Sequence, residues 1–132
     1  MSFLLGLRRS GGKHWIAWNV LSPTECEFFD SYGDSYETYR HLICPTEYIG
    51  EENCVQLQRN VTELCGEYCL MFCYERSIGK SYEDYLANFK YDTSFNDWFI
   101  VTYQRNVMTF RPRKIFGEKT NVMGCVQQCF NK

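Results

Sequence analysis

The rhythm of apolar and polar positions changes along this chain. Residues 14–20, HWIAWNV, are aromatic and β-branched and predict a strand. Ser22-Pro23-Thr24 reads as a turn. Residues 25–29, ECEFF, alternate and then become apolar, which predicts a second strand paired with the first as a hairpin. Asp30-Ser31-Tyr32-Gly33-Asp34 breaks that strand, and 36–43 reads as a short helix or irregular turn. Residues 53–57, NCVQL, suggest a third strand, with a loop over 58–64. From Cys65 to Ile78 apolar residues recur at three- and four-residue steps, the period of an amphipathic helix ending at Gly79. Ser81 and Asp84 have capping-box spacing and start a second helix over 82–90. Residues 95–105 fit a third helix or a final strand, and the rest is ambiguous. Strands first and helices later on one core predict the α+β class.

Composition sharpens this picture. A chain of 132 residues holds one domain with one real core, so 1–132 reads as a single domain. The 45% hydrophobic and 17% aromatic content argue for a folded globule. A net charge of −2 gives no global case for nucleic acid or membrane. From Arg105 onward six basic residues face one acidic residue, so this end carries +5 and the remainder −7. Residues 106–132 thus form a basic C-terminal extension that reads as a solvated tail or a weak DNA contact. The opening MSFLLGLRRS has too short an apolar part for a signal peptide, and no apolar run reaches membrane-spanning length. A reducing intracellular compartment, without secretion, is the expectation, with most of the eight cysteines as free thiols. The chain has no CxxC pair, so a metal site built from Cys65, Cys69, Cys73, Cys125 and Cys129 is disfavoured. Neither a metal nor another cofactor is expected.

The candidate chemistry lies where the elements meet. His14 opens the first strand and Asp30 closes the second, so a hairpin brings imidazole and carboxylate together. A carboxylate there can fix the ring tautomer and stabilise the imidazolium. Cys65 stands at the start of a helix, where unpaired N–H groups favour thiolate over thiol. Gly66 leaves room for a substrate backbone, and the Gln58 amide can donate to an oxyanion. Nucleophile, base, orienter and oxyanion donor make a thiol-protease set.

The ordered motifs carry a resemblance. His14-Trp15-Ile16-Ala17, then Phe28-Phe29-Asp30-Ser31-Tyr32-Gly33, then Gln58 and Cys65-Gly66-x-Tyr68-Cys69-x-Met71-Phe72 resemble the adenovirus-type cysteine proteases, the adenain family. They resemble still more the proteases of Polinton/Maverick elements and adintovirus-like viruses, and more distantly the SUMO-deconjugating proteases. Arg76-x-x-Gly79-x-Ser81 and Asn96-Asp97 ahead of Phe99-Ile100-Val101 agree, so the resemblance covers residues 12–105.

It implies a papain-like fold, with an antiparallel sheet packed on a central helix that bears the nucleophile. It implies a catalytic triad of His14, Asp30 and Cys65, and an oxyanion hole of Gln58 and the Cys65 N–H, with Gln56 as fallback. Trp15 would wall the cleft and Gly66 contact substrate. The implied role is cleavage of viral capsid or core precursor proteins at small residues, in the virion and the host nucleus or cytoplasm. The partner is then a polypeptide substrate. Adenain pairs a cysteine ahead of its nucleophile with an activating peptide, and Cys54-Val55-Gln56-Leu57 is similar in context. That makes Cys54 a candidate for an activator disulfide, although a buried free thiol is favoured. Adenain's use of DNA carries over poorly to a chain that is acidic outside its tail. Gly11-Gly12 resembles a cleavable site, but a glycine turn into the His strand explains it more simply. Only 13 residues precede His14, fewer than in the family, so its N-terminal layer is shortened here. His41 lacks a motif and reads as a surface or helix-end residue. Two other readings are a ubiquitin-like-modifier isopeptidase and an inactive domain that binds a partner.

Overall fold

In a computed structural model, residues 1–9, 12–39, 42 and 44–108 are described. Four strands lie in the order β1 (Ser2–Arg9), β2 (Gly12–Val20), β3 (Glu25–Phe29) and β4 (Tyr48–Glu52). Three α-helices follow: α1 (Cys65–Ser77), α2 (Tyr82–Leu86) and α3 (Thr93–Tyr103). A 3-10 turn spans Tyr36–Tyr39 and a π-helical turn Gln104–Met108. The molecule is α+β, as the succession of patterns predicts.

The predicted β2–β3 hairpin is present, with Ala17 opposite Phe29 and Val20 opposite Cys26. The sheet departs from the expected antiparallel arrangement, because β4 runs parallel to β3. The long connection between them, which includes the 3-10 turn, lets the chain return to the same end of the sheet. The third strand is 48–52, not 53–57. YIGEE is a largely exposed edge strand and shows no buried alternation to read. Residues 53–57 instead brace the end of β3. Asn53 accepts from the Asp30 N–H and donates to the Asp30 carbonyl, while the Leu57 N–H donates to the Ser31 carbonyl.

The short N-terminal segment forms β1, the other edge, with Leu4 opposite Ala17 and Leu7 opposite His14. β2 opens at Gly12, whose φ of 137° favours glycine.

Strand alternation gives the sheet two cores. On one face Ala17 and Phe29 pack on Tyr68, Cys69, Phe72 and Tyr85 of the helices, and Phe29 stacks on Phe72 at 5.2 Å. On the other face Ile16, Trp18, Cys26 and Phe28 pack with Tyr39. Cys69 and Cys73 are buried in the helix-side core, where they pack as small residues.

The helices start as their sequences dictate. The Ser81 hydroxyl accepts from the Asp84 N–H, although α2 is shorter than the predicted 82–90. Asp92 caps α3 by accepting from the N–H groups of Ser94 and Phe95, which resolves 95–105 as helix. Arg76 of α1 meets Glu27 of β3 through two hydrogen bonds of 2.8 and 3.1 Å, fixing the helix across the sheet. Asn96 and Asp97 tie α3 to the loop before α1. Asn96 donates to the Leu57 carbonyl, and Asp97 accepts from Tyr68 at 2.7 Å and Thr62 at 3.1 Å.

Candidate active site

The sheet opens at one end, and the candidate site lies there. The register between β2 and β3 runs to Ala17 and Phe29, short of Trp15. The first turn of α1 meets Trp15. The Trp15 N–H donates to Cys65 Sγ at 3.4 Å, and the Cys69 thiol donates to the Trp15 carbonyl at 3.4 Å. Cys65 Sγ also lies 4.0 Å from the Lys13 carbonyl. The sulfur therefore runs beside the backbone that flanks His14.

His14 is buried at the same level. Its Nε2 lies 3.0 Å from Asp30 Oδ1. Asp30 is completely buried and its carboxylate is well held. Oδ1 also accepts from the Tyr32 N–H at 2.8 Å, and Oδ2 accepts from the Tyr39 hydroxyl at 2.6 Å. With Nε2 committed to the carboxylate, Nδ1 is the ring nitrogen left for other chemistry. It is buried and has no hydrogen-bond partner among the described residues. Burial acts to lower the basicity of His14, but hydrogen bonding and charge from Asp30, joined by the charge of Cys65, outweigh it. The imidazole pKa is pushed up from 6.5 to about 9. Tyr32 stacks on the ring at 5.0 Å.

Cys65 is the first residue of α1, and no side chain caps that helix. First-turn N–H groups without a side-chain cap are donors directed at negative charge. A cleft of about 830 Å³ passes over His14 and Cys65, lined also by Trp15, Tyr32, Gln56 and Thr62. Its polar rim includes Lys13, Asp34, Asn60 and Glu63. Trp15 is part of this lining.

Other expected residues sit differently. Gln58 lies fully buried behind the cleft. Its Oε1 accepts from Ser31 at 2.6 Å, and its Nε2 donates to the Thr62 carbonyl at 2.7 Å and toward Tyr32 Oη at 3.3 Å. A buried amide needs partners at both ends, and these neighbours supply them. Gln56 does line the cleft, with its amide donating to the Gln58 carbonyl and Asn60. Gly66 gives close approach to Trp15 instead of open space for substrate, since a β-carbon there would stand 3.3 Å from Trp15 Cδ1.

Cys54 is an exposed free thiol, contrary to the buried thiol favoured from sequence. It lies at a 260 Å³ groove with Val55, Leu57, Leu86, Phe89 and Tyr91, because 53–57 is surface loop and not strand. Gly11, His41, Cys125, Cys129 and the basic residues beyond Arg105 lie outside the described residues.

Sequence reasoning missed Tyr39 and Asn53, which hold the Asp30 side chain and backbone. Neither belongs to a motif; Tyr39 comes from the β3–β4 connection and Asn53 from the residue after β4, and only the fold brings them near. Among the described residues no helix is long and apolar enough to cross a membrane. Comparison of the chain with protein-family models, curated proteins and solved structures gives no match.

Proposed function

We propose that this chain is a cysteine-type endopeptidase. The observation that carries the reading is the buried imidazole at the cleft. Its Nε2 faces a carboxylate, its Nδ1 is unpartnered, and the Cys65 sulfur runs beside its backbone. In this reading Cys65 and His14 form a thiolate–imidazolium pair. The thiolate attacks a peptide carbonyl carbon, and His14 protonates the leaving amine as the C–N bond breaks. A thioester to Cys65 results. Neutral His14 then takes a proton from water, whose oxygen attacks the thioester and releases the acid and Cys65.

Asp30 orients the ring and stabilises its charged form. The Cys65 N–H faces the developing oxyanion. Gln58 becomes a second donor once its Nε2 leaves the Thr62 carbonyl, a contribution of about 10²–10³ in rate for such a group.

The motif resemblance extends the proposal to substrate. Viral capsid or core precursors cut at small residues are the expected targets, in the virion and the host nucleus or cytoplasm. The test incubates the protein with precursor-type peptides and with a SUMO fusion, beside Cys65→Ala. Cleavage of peptides but not the fusion, lost in Cys65→Ala, supports the proposal. Preferential cleavage of the fusion makes the chain an isopeptidase. Cleavage unaffected by Cys65→Ala, or an electrophile that modifies Cys69 as fast as Cys65, refutes the mechanism.

A further inference from the structure

We propose that Tyr39 is a positioning residue, whose hydroxyl locks the Asp30 carboxylate in the orientation that serves His14. This rests on reading His14, Asp30 and Cys65 as one chemical unit. The Asp30 carboxylate has two oxygens with different tasks. Oδ1 receives His14 Nε2 and the Tyr32 N–H, and the Tyr39 hydroxyl is bonded to Oδ2 at 2.6 Å. That distance is in the range of charge-assisted O–H···O⁻ bonds, the strong class. Both residues are buried, so water does not readily take over the role. Tyr39 comes from the 3-10 turn, an element separate from the strands that carry His14 and Asp30. Its ring is packed against Phe28 at 5.8 Å and lies near-parallel to His14 at 6.3 Å, which fixes where the hydroxyl can reach.

Two effects follow when that oxygen is removed. The carboxylate keeps more charge for His14, but Oδ2 is left buried without its donor. A buried carboxylate oxygen without a partner is costly, and the carboxylate loses the contact on Oδ2 that fixes its rotation. Turning misaligns Oδ1 from Nε2, and hydrogen bonds weaken steeply off axis. Misalignment dominates, so Tyr39→Phe lowers the affinity of His14 for its proton. The titratable and charged groups around His14 are Asp30, Cys65 of α1, Tyr32 and Tyr39 of the β3–β4 connection, and Lys13, Asp34 and Glu63 along the cleft.

The experiment follows the His14 titration by NMR and the alkylation rate of Cys65 by iodoacetamide against pH. Neither readout requires turnover, so both remain valid even if no peptide is cleaved. Tyr36→Phe is the control. Tyr36 lies in the same turn, and its hydroxyl donates to the Leu42 carbonyl instead of to Asp30. Tyr39→Phe is expected to lower the His14 titration by at least about half a unit, or threefold in proton affinity. The His14-linked step in the pH profile of Cys65 alkylation should move down by the same amount, while Tyr36→Phe leaves both unchanged. An unmoved or raised His14 titration, or equal shifts in both variants, overturns the proposal. If Tyr39→Phe does not fold, the wild-type protein decides. A resolved, exchange-protected Tyr39 hydroxyl proton supports the bond, and its absence where the His14 Nε2 proton is seen refutes it.

Discussion

Replacing Asp30 by Asn tests the electrostatic logic of the site. The amide is nearly isosteric and still offers an oxygen to the Tyr32 N–H or Tyr39, so the pocket is preserved while the charge is removed. In the native protein burial lowers the His14 pKa, yet Asp30 and Cys65 together lift it to about 9. Without the carboxylate, burial is opposed by Cys65 alone, and the value falls to 6.5 or below. At pH 7.5 the imidazolium then drops from nearly the whole population to about a tenth or less. Population alone costs about tenfold, and wrong-tautomer binding of the ring adds to it, as the four-decade loss in a serine protease triad illustrates. The expected outcome is at least about 10²-fold slower peptide cleavage at pH 7.5. The alkaline limb should also move from about 9 to below 7. The assay is a pH series from 5 to 10 with a fluorogenic peptide, paired with iodoacetamide labelling of Cys65 read by mass spectrometry. If the alkaline limb stays near 9 in Asp30→Asn, the carboxylate is not what raises His14, and the argument fails.

Three further outcomes are expected. The folded-state pKa of His14 lies above its ordinary value. Its contribution to stability is therefore full below pH 6.5 and is lost as pH rises through about 9, which thermal unfolding across that range will show. Gly33→Ala should cost roughly 2–4 kcal/mol in urea unfolding. Gly33 has φ 79°, and a β-carbon would lie 2.6 Å from the Val55 carbonyl carbon, so left-handed strain and overpacking add. Asp97→Ala should cost about 2 kcal/mol, because it leaves the buried Tyr68 hydroxyl only the Leu57 carbonyl at 3.4 Å and removes one partner of Thr62, and cleavage should fall with it as the cleft loop loosens.

The parts of this fold that were legible in sequence are those with a periodic pattern or a local cap. ECEFF alternates on a strand buried along its length, and Ser81 announces a helix that it does cap. β4 was misplaced because an exposed edge strand has no buried face to produce a pattern, whereas NCVQL is apolar for another reason. Leu57 enters the core from a loop. β1 was missed because its half-buried apolar residues read as a short leader-like run. Residue types and strand order anticipated the meeting of His14 with Asp30. The engagement of Gln58 by Ser31 and Thr62 was not legible, since a side chain's partners across a loop leave no trace in spacing.

The contact between the Trp15 N–H and Cys65 Sγ spans 50 positions of chain. Such a contact closes only when α1 docks on the open end of the sheet, and closing a long loop is entropically costly before the core rewards it. The hairpin bearing His14 and Asp30 can form earlier on its own, but the sulfur reaches it only in the assembled domain. On the proposed function, the pairing of Cys65 with His14 is thus a property of the completed fold. An electrophile that reports this cysteine also counts native molecules.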